Sequence, residues 1–276
     1  MKITVQQQTV YAYTGGRPLD RQLPGVVFVH GALHDHSVWS LQSRYLAHHG
    51  HAVLAVDLPG HGRSAGTALD IPGAGQWLTT LIEQVGLHHV VLVGHSMGSL
   101  IALEAAARLG TQAHTLVMVG TAYPMKVSDT LLQLAQTDPQ RGIDWVNQLS
   151  VSSYASKPSH PGPGFSIHGG NRALMRRTLR GYTADNLFYH DFAACNAYAG
   201  LEAAAPALTC SVHVVAGRKD QMTPARAAQP VAHALHAQVH TLDCGHAIMA
   251  EAPDALLHII MQAARSHPIS PASPPP

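Results

Sequence analysis

The sequence predicts an α/β fold, a mostly parallel sheet with helices on both faces, interrupted once by a helical insertion. Three observations carry that expectation. Short β-branched runs without polar alternation recur along the chain, and a strand apolar on both faces belongs in a parallel sheet covered by helices. Patterns of helical period fall between successive runs, as in βαβ units. The alternation then fails between about Thr121 and Ala207, where helical stretches follow one another, and resumes afterwards. The chain has 276 residues, enough for one large domain with a sizeable core, and 46% hydrophobic against 12% charged content excludes a disordered chain.

Residues 3–13 read as a hairpin of two short strands, Ile3–Val5 and Thr9–Tyr13, followed by the break Gly15-Gly16-Arg17-Pro18. Gly25–His30 is the first buried strand, and a helix carrying Trp39, Leu41 and Leu46 is expected from about Ser37. His51–Asp57 is the next strand, with a turn-rich loop through Leu58-Pro59-Gly60-His61-Gly62-Arg63-Ser64. Trp77, Leu78, Leu81 and Ile82 place a helix over about Gly75–Val85. The strand Val90–Val93 precedes Gly94-His95-Ser96-Met97-Gly98, and a helix over Ser99–Leu109 stops at Gly110. His114–Gly120 is a further strand. Helical stretches over Val127–Gln136, Ile143–Val151, Arg172–Thr178 and Asn186–Leu201 surround a Pro/Gly-rich break at Lys157–Gly164. Strands return at Ser211–Ala216 and Gln238–Leu242, and a helix over Asp254–Arg265 closes the fold. The division expected is a core of 1–120 and 208–265, an insertion of 121–207, and a loose Pro/Ser-rich tail of 266–276.

The chemistry centres on Gly94–Gly98. A Gly-x-Ser-x-Gly between a buried strand and a helix is the context of a nucleophile elbow, which lifts the serine hydroxyl to the N-terminus of the next helix. A serine needs a base, and the base needs an orienting acid. With 21 histidines, residue type alone selects no base. Position does, because ligands bind beyond the carboxyl ends of the strands. Asp220 directly follows the strand ending at Ala216, and His246 directly follows the strand ending at Leu242. The catalytic candidates are therefore Ser96, Asp220 and His246, in the chain order Ser…Asp…His. Asp243 is the nearest competing acid, but it stands only three residues from His246, too close in the chain to bridge its ring. The oxyanion donors expected are the N–H groups of Met97 and Ala32, with Leu33 second for the latter. His30 and His95 are read as hydrogen-bonded loop ties.

These residues resemble the α/β-hydrolase family. The likeness runs through His30-Gly31-Ala32, Asp57–Ser64, Gly94–Gly98, Gly217-Arg218-Lys219-Asp220 and Gly245-His246, and points to the branch of small esterases, C–C bond hydrolases and haloperoxidase-like enzymes. The resemblance implies an eight-stranded sheet and a helical cap over the site. It also argues against epoxide hydrolases and haloalkane dehalogenases, which carry aspartate where this chain has Ser96.

The expected reaction is hydrolysis of an uncharged small or medium carboxylic ester through an acyl-enzyme, as in a carboxylesterase, with no metal and no cofactor. A C–C bond hydrolase using the same triad, and a ligand-binding receptor or scaffold on the same fold, are the alternatives. Tyr123, Met125, Trp145 and Phe188 are the candidate substrate-binding residues, with Phe165, Met175 and Tyr198 also in the insertion. A formal net charge of +1 gives no pull toward nucleic acid or an anionic membrane, so a small-molecule substrate is the partner expected. Cys195, Cys210 and Cys244 lack metal-ligand spacing, and the histidines form no HExxH helix. Reduced thiols, no apolar signal core and no run near the ~20 residues of a membrane span give a cytoplasmic expectation.

Overall fold

The computed structural model describes residues 1–152 and 166–265; Phe165, the break at 157–164 and the tail at 266–276 lie outside them. Eight strands form one sheet in the order β1-β2-β4-β3-β5-β6-β7-β8. They are β1 (Lys2–Val5), β2 (Gln8–Tyr13), β3 (Gly25–Val29), β4 (Ala52–Val56), β5 (Val90–His95), β6 (Ala113–Val119), β7 (Ser211–Gly217) and β8 (Gln238–Leu242). The hairpin β1–β2 is antiparallel and joins β4 antiparallel, while every pair from β4 through β8 is parallel.

The uninterrupted apolar runs take the centre of the sheet, where each residue is covered from above or below. All five residues of β3 and of β4 are buried, and so are all six of β5. Successive side chains divide between two cores, as a period of two requires. Val27, Val29, Leu54, Val56 and Leu92 join the core under α2 (Ile71–Val85) and α3 (Met97–Leu109). Val26, Phe28, Val53, Ala55, Val91 and Val93 face α1 (Ser40–His48). The outer strands β1, β2 and β8 are only partly buried, and β8, half-exposed along its length, has the polar sequence QVHTL.

Between β6 and β7 run α4 (Asp129–Thr137), α5 (Pro139–Ser150), α6 (Ile167–Gly181), α7 (Leu187–Ala197) and the short α8 (Leu201–Ala204), and α5 packs between α4 and α6. Four of these starts carry side-chain caps, in which Ser128, Asp138, Ser166 and Asn186 accept backbone N–H groups. After β7 come α9 (Gln229–Ala234), then α10 (Ile248–Glu251) and α11 (Pro253–Arg265); α11 covers the same sheet face as α1. Some boundaries differ from the sequence expectation for local reasons. Helix α2 begins at Ile71 rather than near Gly75, because Asp70 caps the Gly73 N–H and Pro72 occupies the first turn. The segment from His36 to Trp39 forms a 3-10 turn before α1. No helix among the described residues is long and apolar enough to cross a membrane.

Candidate active site

The site stands where β5 runs into α3. Ser96 has φ 51° and ψ −120°, a backbone conformation that a non-glycine residue adopts only when its surroundings impose it. Those surroundings are tight. A Cβ at Gly98 would collide with the His30 and Val29 carbonyls, and one at Gly94 would collide with the Gly98 carbonyl. The two glycines therefore let β3, β5 and α3 meet closely enough to force the turn. The Ser96 N–H donates to the Val119 carbonyl at 2.8 Å, and its own carbonyl accepts from Ser99 Oγ at 2.6 Å.

Asp220 and His246 come together from the loops after β7 and β8. His246 Nδ1 lies 2.8 Å from Asp220 Oδ2. Asp220 Oδ1 accepts the Met222 and Thr223 N–H groups, both at 2.8 Å, and Thr223 Oγ1 is 2.8 Å from Oδ2. Burial of this carboxyl would raise its pKa. The charge and hydrogen bond of His246, with the donors of Thr223, outweigh burial and hold it below the usual carboxylate value. A carboxylate only accepts, so Nδ1 carries the proton shared with Asp220, and Nε2 is the ring nitrogen turned away from the acid. The loop is fixed from behind. His95 Nε2 donates to the His246 carbonyl at 3.0 Å, Glu251 Oε1 accepts the Gly245 N–H, and the Ala247 N–H reaches the Ser150 carbonyl at the end of α5.

His30 acts as a tie in the loop after β3. Its Nδ1 donates to the Gly31 carbonyl at 2.8 Å, and its Nε2 accepts the Leu58 N–H at 3.1 Å, so the ring is neutral. Complete burial, with the neighbouring His61, pushes its pKa down to about 4. Of the two candidate oxyanion donors in this loop, the Leu33 N–H is engaged by Asp191 Oδ2 at 2.9 Å, while Ala32 lines the cavity beside Ser96.

That cavity holds about 50 Å³ and is bounded by Ala32, Ser96 and His246 together with apolar Met125, Val127, Val146, Phe192 and Met222, with exposed Lys126 alongside. A second cavity of about 380 Å³ adjoins it at His34, His95, Ser150 and His246, and extends between Val38, Leu41, Ile167, Leu174 and Met249. Met125 is thus at the site. Tyr123, Trp145 and Phe188 are elsewhere, and the reason is helical phase and local pairing. On α5 the inward face carries Ile143, Val146 and Ser150, which turns Trp145 to a separate outer pocket with Arg141 and Asp144. Phe188 is fully buried against Phe192, leaving Phe192 at the cavity. Tyr123 directs its hydroxyl to Glu202 at 2.6 Å. Met175 is a core residue, and Tyr198 bonds buried Glu104 at 2.7 Å. Thr223, Val146 and Phe192 are site residues that the sequence reasoning passes over.

Asp35, His36 and Asp57 bring three potential ligand atoms within 4.8 Å of one another. Their oxygens already serve the loops. Asp57 Oδ1 accepts from the His36 N–H and Nδ1 and Oδ2 from the Arg63 N–H, while Asp35 accepts from Ser37 and from Arg177. Burial opposes the charge on Asp35, but Ser37 and the Arg177 guanidinium hold its pKa at about 2. The cluster is a tie between loops, and a metal would have to displace those donors.

The Alpha/beta hydrolase family matches residues 26–259. Among curated proteins the chain is similar to (E)-2-((N-methylformamido)methylene)succinate hydrolase of Acinetobacter baylyi, 27% identical over 143 residues, covering 48% of this chain and 54% of that protein. The match therefore spans about half the length of that relative. In fold it is similar to an esterase from Exiguobacterium antarcticum, with TM-score 0.80, 18% identity, and 96% and 99% of the two chains covered. It is also similar to the enol-lactonase from Burkholderia xenovorans, with TM-score 0.77, 19% identity, and 97% and 100% covered. Since the family match takes in the elbow, the loops after β7 and β8 and the sheet that positions them, the chain belongs to the alpha/beta hydrolase family.

Proposed function

We propose that this hydrolase cleaves an uncharged, small or medium carboxylic ester through a Ser96–His246–Asp220 triad. The observation that carries the reading is the buried Asp220–His246 pair at 2.8 Å, opening on the same cavity as the strained Ser96. His246 Nε2 takes the Ser96 proton as Oγ attacks the carbonyl carbon. Negative charge then develops on the former carbonyl oxygen, where the Ala32 and Met97 N–H groups receive it at the head of α3. The tetrahedral adduct collapses, His246 gives its proton to the leaving alkoxide, and an acyl-Ser96 remains. Water attacks that ester with His246 again as base, releasing the acid and restoring Ser96. Asp220 keeps the Nδ1 proton in place and balances the imidazolium. Every proton in this cycle is carried by these side chains.

The lining of Met125, Val127, Val146, Phe192 and Met222 supports an apolar acyl or alcohol group, and the helices between β6 and β7 act as the cap that selects it. A fluorophosphonate probe tests the nucleophile. Labelling of the parent protein and none of Ser96→Ala is expected, and an unlabelled parent sinks the serine-hydrolase reading. A panel of p-nitrophenyl esters of rising chain length, run beside a vinylogous diketone, then tests the substrate class. Turnover of the diketone alone would replace ester hydrolysis with C–C cleavage.

A further inference from the structure

Asp191 belongs to α7, yet its carboxylate is buried against two loops of the sheet, with 1% of the residue exposed. Oδ2 accepts the Leu33 N–H at 2.9 Å and lies 2.9 Å from His61 Nε2. The other nitrogen of that ring, Nδ1, is 3.0 Å from the Pro59 carbonyl. A carbonyl and a carboxylate only accept, so both ring nitrogens carry protons and His61 is an imidazolium paired with Asp191. The balance of forces agrees. Burial works against the charge on His61, but the Asp191 charge and hydrogen bond exceed it and raise its pKa. The neutral His30 ring packs on His61 with centroids 4.9 Å apart.

The other end of this pair is Leu33, which has φ 55° and is fully buried. A leucine at positive φ is strained and persists only where neighbours over-determine it. The Asp191 bond is such a determinant, and it fixes the peptide immediately after Ala32. We propose that Asp191 is a positioning residue for the oxyanion site: its carboxylate, held by His61, clamps Leu33 so that Ala32 keeps its place at the cavity beside Ser96. The assignment rests on the serine-hydrolase reading above. It makes a residue of the insertion part of the machinery that stabilises charge, in addition to whatever the insertion does for substrate choice.

The test uses the full chain, the p-nitrophenyl ester it turns over fastest, and a trifluoromethyl ketone whose hydrate-like adduct mimics the tetrahedral intermediate. Asp191→Ala is expected to lower kcat by about 10–100-fold while KM stays within about threefold, because a displaced oxyanion donor is felt chiefly in the transition state. The ketone's inhibition constant should rise in the same proportion as kcat falls. Asp191→Asn keeps a carbonyl oxygen for the Leu33 N–H and should recover most of the loss, ending about 3–10-fold below the parent because His61 loses its counter-charge. A merely structural role would not couple kcat to ketone affinity or be rescued by the amide. If the alanine variant does not fold, the asparagine variant, of nearly equal volume, decides alone. A folded variant with kcat within twofold of the parent, or with a raised KM and unchanged ketone affinity, overturns the assignment. A parent that neither hydrolyses esters nor takes the fluorophosphonate defeats the serine-hydrolase reading itself, and this assignment falls with it.

Discussion

The hydroxyl of Thr223 sits among three groups of the site, 2.8 Å from Asp220 Oδ2, 3.0 Å from the Gly120 carbonyl and 3.1 Å from His246 Nδ1. Its single proton serves one acceptor at a time, and its oxygen remains open to the His246 N–H. Thr223→Val keeps the volume and deletes that hydroxyl. We expect kcat/KM to fall about 3–10-fold with a stability loss of about 1 kcal/mol, the ordinary worth of one buried hydrogen bond. Asp220→Asn keeps the shape but offers an N–H where His246 needs an acceptor, so its kcat should fall on the order of 10⁴-fold. Stopped-flow ester hydrolysis and urea titration of both variants check these outcomes, and equal losses in the two would refute separate roles for hydroxyl and carboxylate. Ser96, Asp220 and His246 are legible in the sequence because each follows a strand within a few residues, and strands here are plain apolar runs. Thr223 is legible only as a turn residue, since a threonine three places after an aspartate serves a turn equally well. Asp191 has no local signal at all, because its partner Leu33 is 158 residues away.

At the scale of elements, the elbow is a contact between three pieces of backbone, and the register Val29↔Gly94 shows how close they lie. Gly98→Ala would drive a methyl into the His30 and Val29 carbonyls, which belong to a sheet interior that has no room to yield. A loss of about 3 kcal/mol or more is expected, at the upper end of overpacking costs. Gly110→Ala supplies the contrast. That glycine has φ 53° and ψ −125° with open space around its Cβ position, so only backbone strain of roughly 1–3 kcal/mol applies, with no collision added. Thermal melts of the two variants should therefore separate clearly, and a smaller loss for Gly98→Ala would mean that the turn is not set by backbone contact. The same distinction explains which elements sequence reasoning recovers. Runs such as Val26–Val29 and Val90–Val93 declare themselves because burial on both faces allows no polar residue. The hairpin of β1 and β2 is read from its two strands, but the form of its turn is not, since Gln6 and Gln7 both take positive φ without a glycine or asparagine to announce it. The faces of α5 and α7 are also hidden, because Trp145 and Phe188 are apolar whether they line a cavity or pack away from it. Only the tertiary phase of the helix decides.

For the whole molecule, the distribution of histidines sets how stability depends on pH. Burial lowers the pKa of His30, His34 and His95, and also of His51, His168, His213 and His240, which are less deeply set. Each is held neutral in the fold and binds a proton more readily once unfolded. Their contribution is complete above the ordinary value near 6.5 and is lost as pH falls toward their depressed values. His30 alone, with its pKa at about 4, accounts for on the order of 3 kcal/mol across that window. A buried nitrogen with no acceptor, His95 Nδ1, shows why protonation is resisted, since a second N–H there would have nothing to bond. His61 has the opposite sign. Its pKa is raised, so its pairing with Asp191 is complete below 6.5 and is lost as pH climbs through the higher value. Carboxylates add a further acid limb, because Asp35 and Asp220 stabilise the fold above their ordinary 3.8 and cease to do so as pH falls through their lowered values. Urea unfolding from pH 8 to pH 4.5 should therefore show stability falling by at least about 3 kcal/mol, with most of the fall below 6.5. The variant His30→Gln, uncharged throughout, should flatten part of that slope. A profile level between pH 7 and pH 5 in the parent would mean that the core histidines are not held neutral. The ties they form behind Ser96 and His246 would then need a different account.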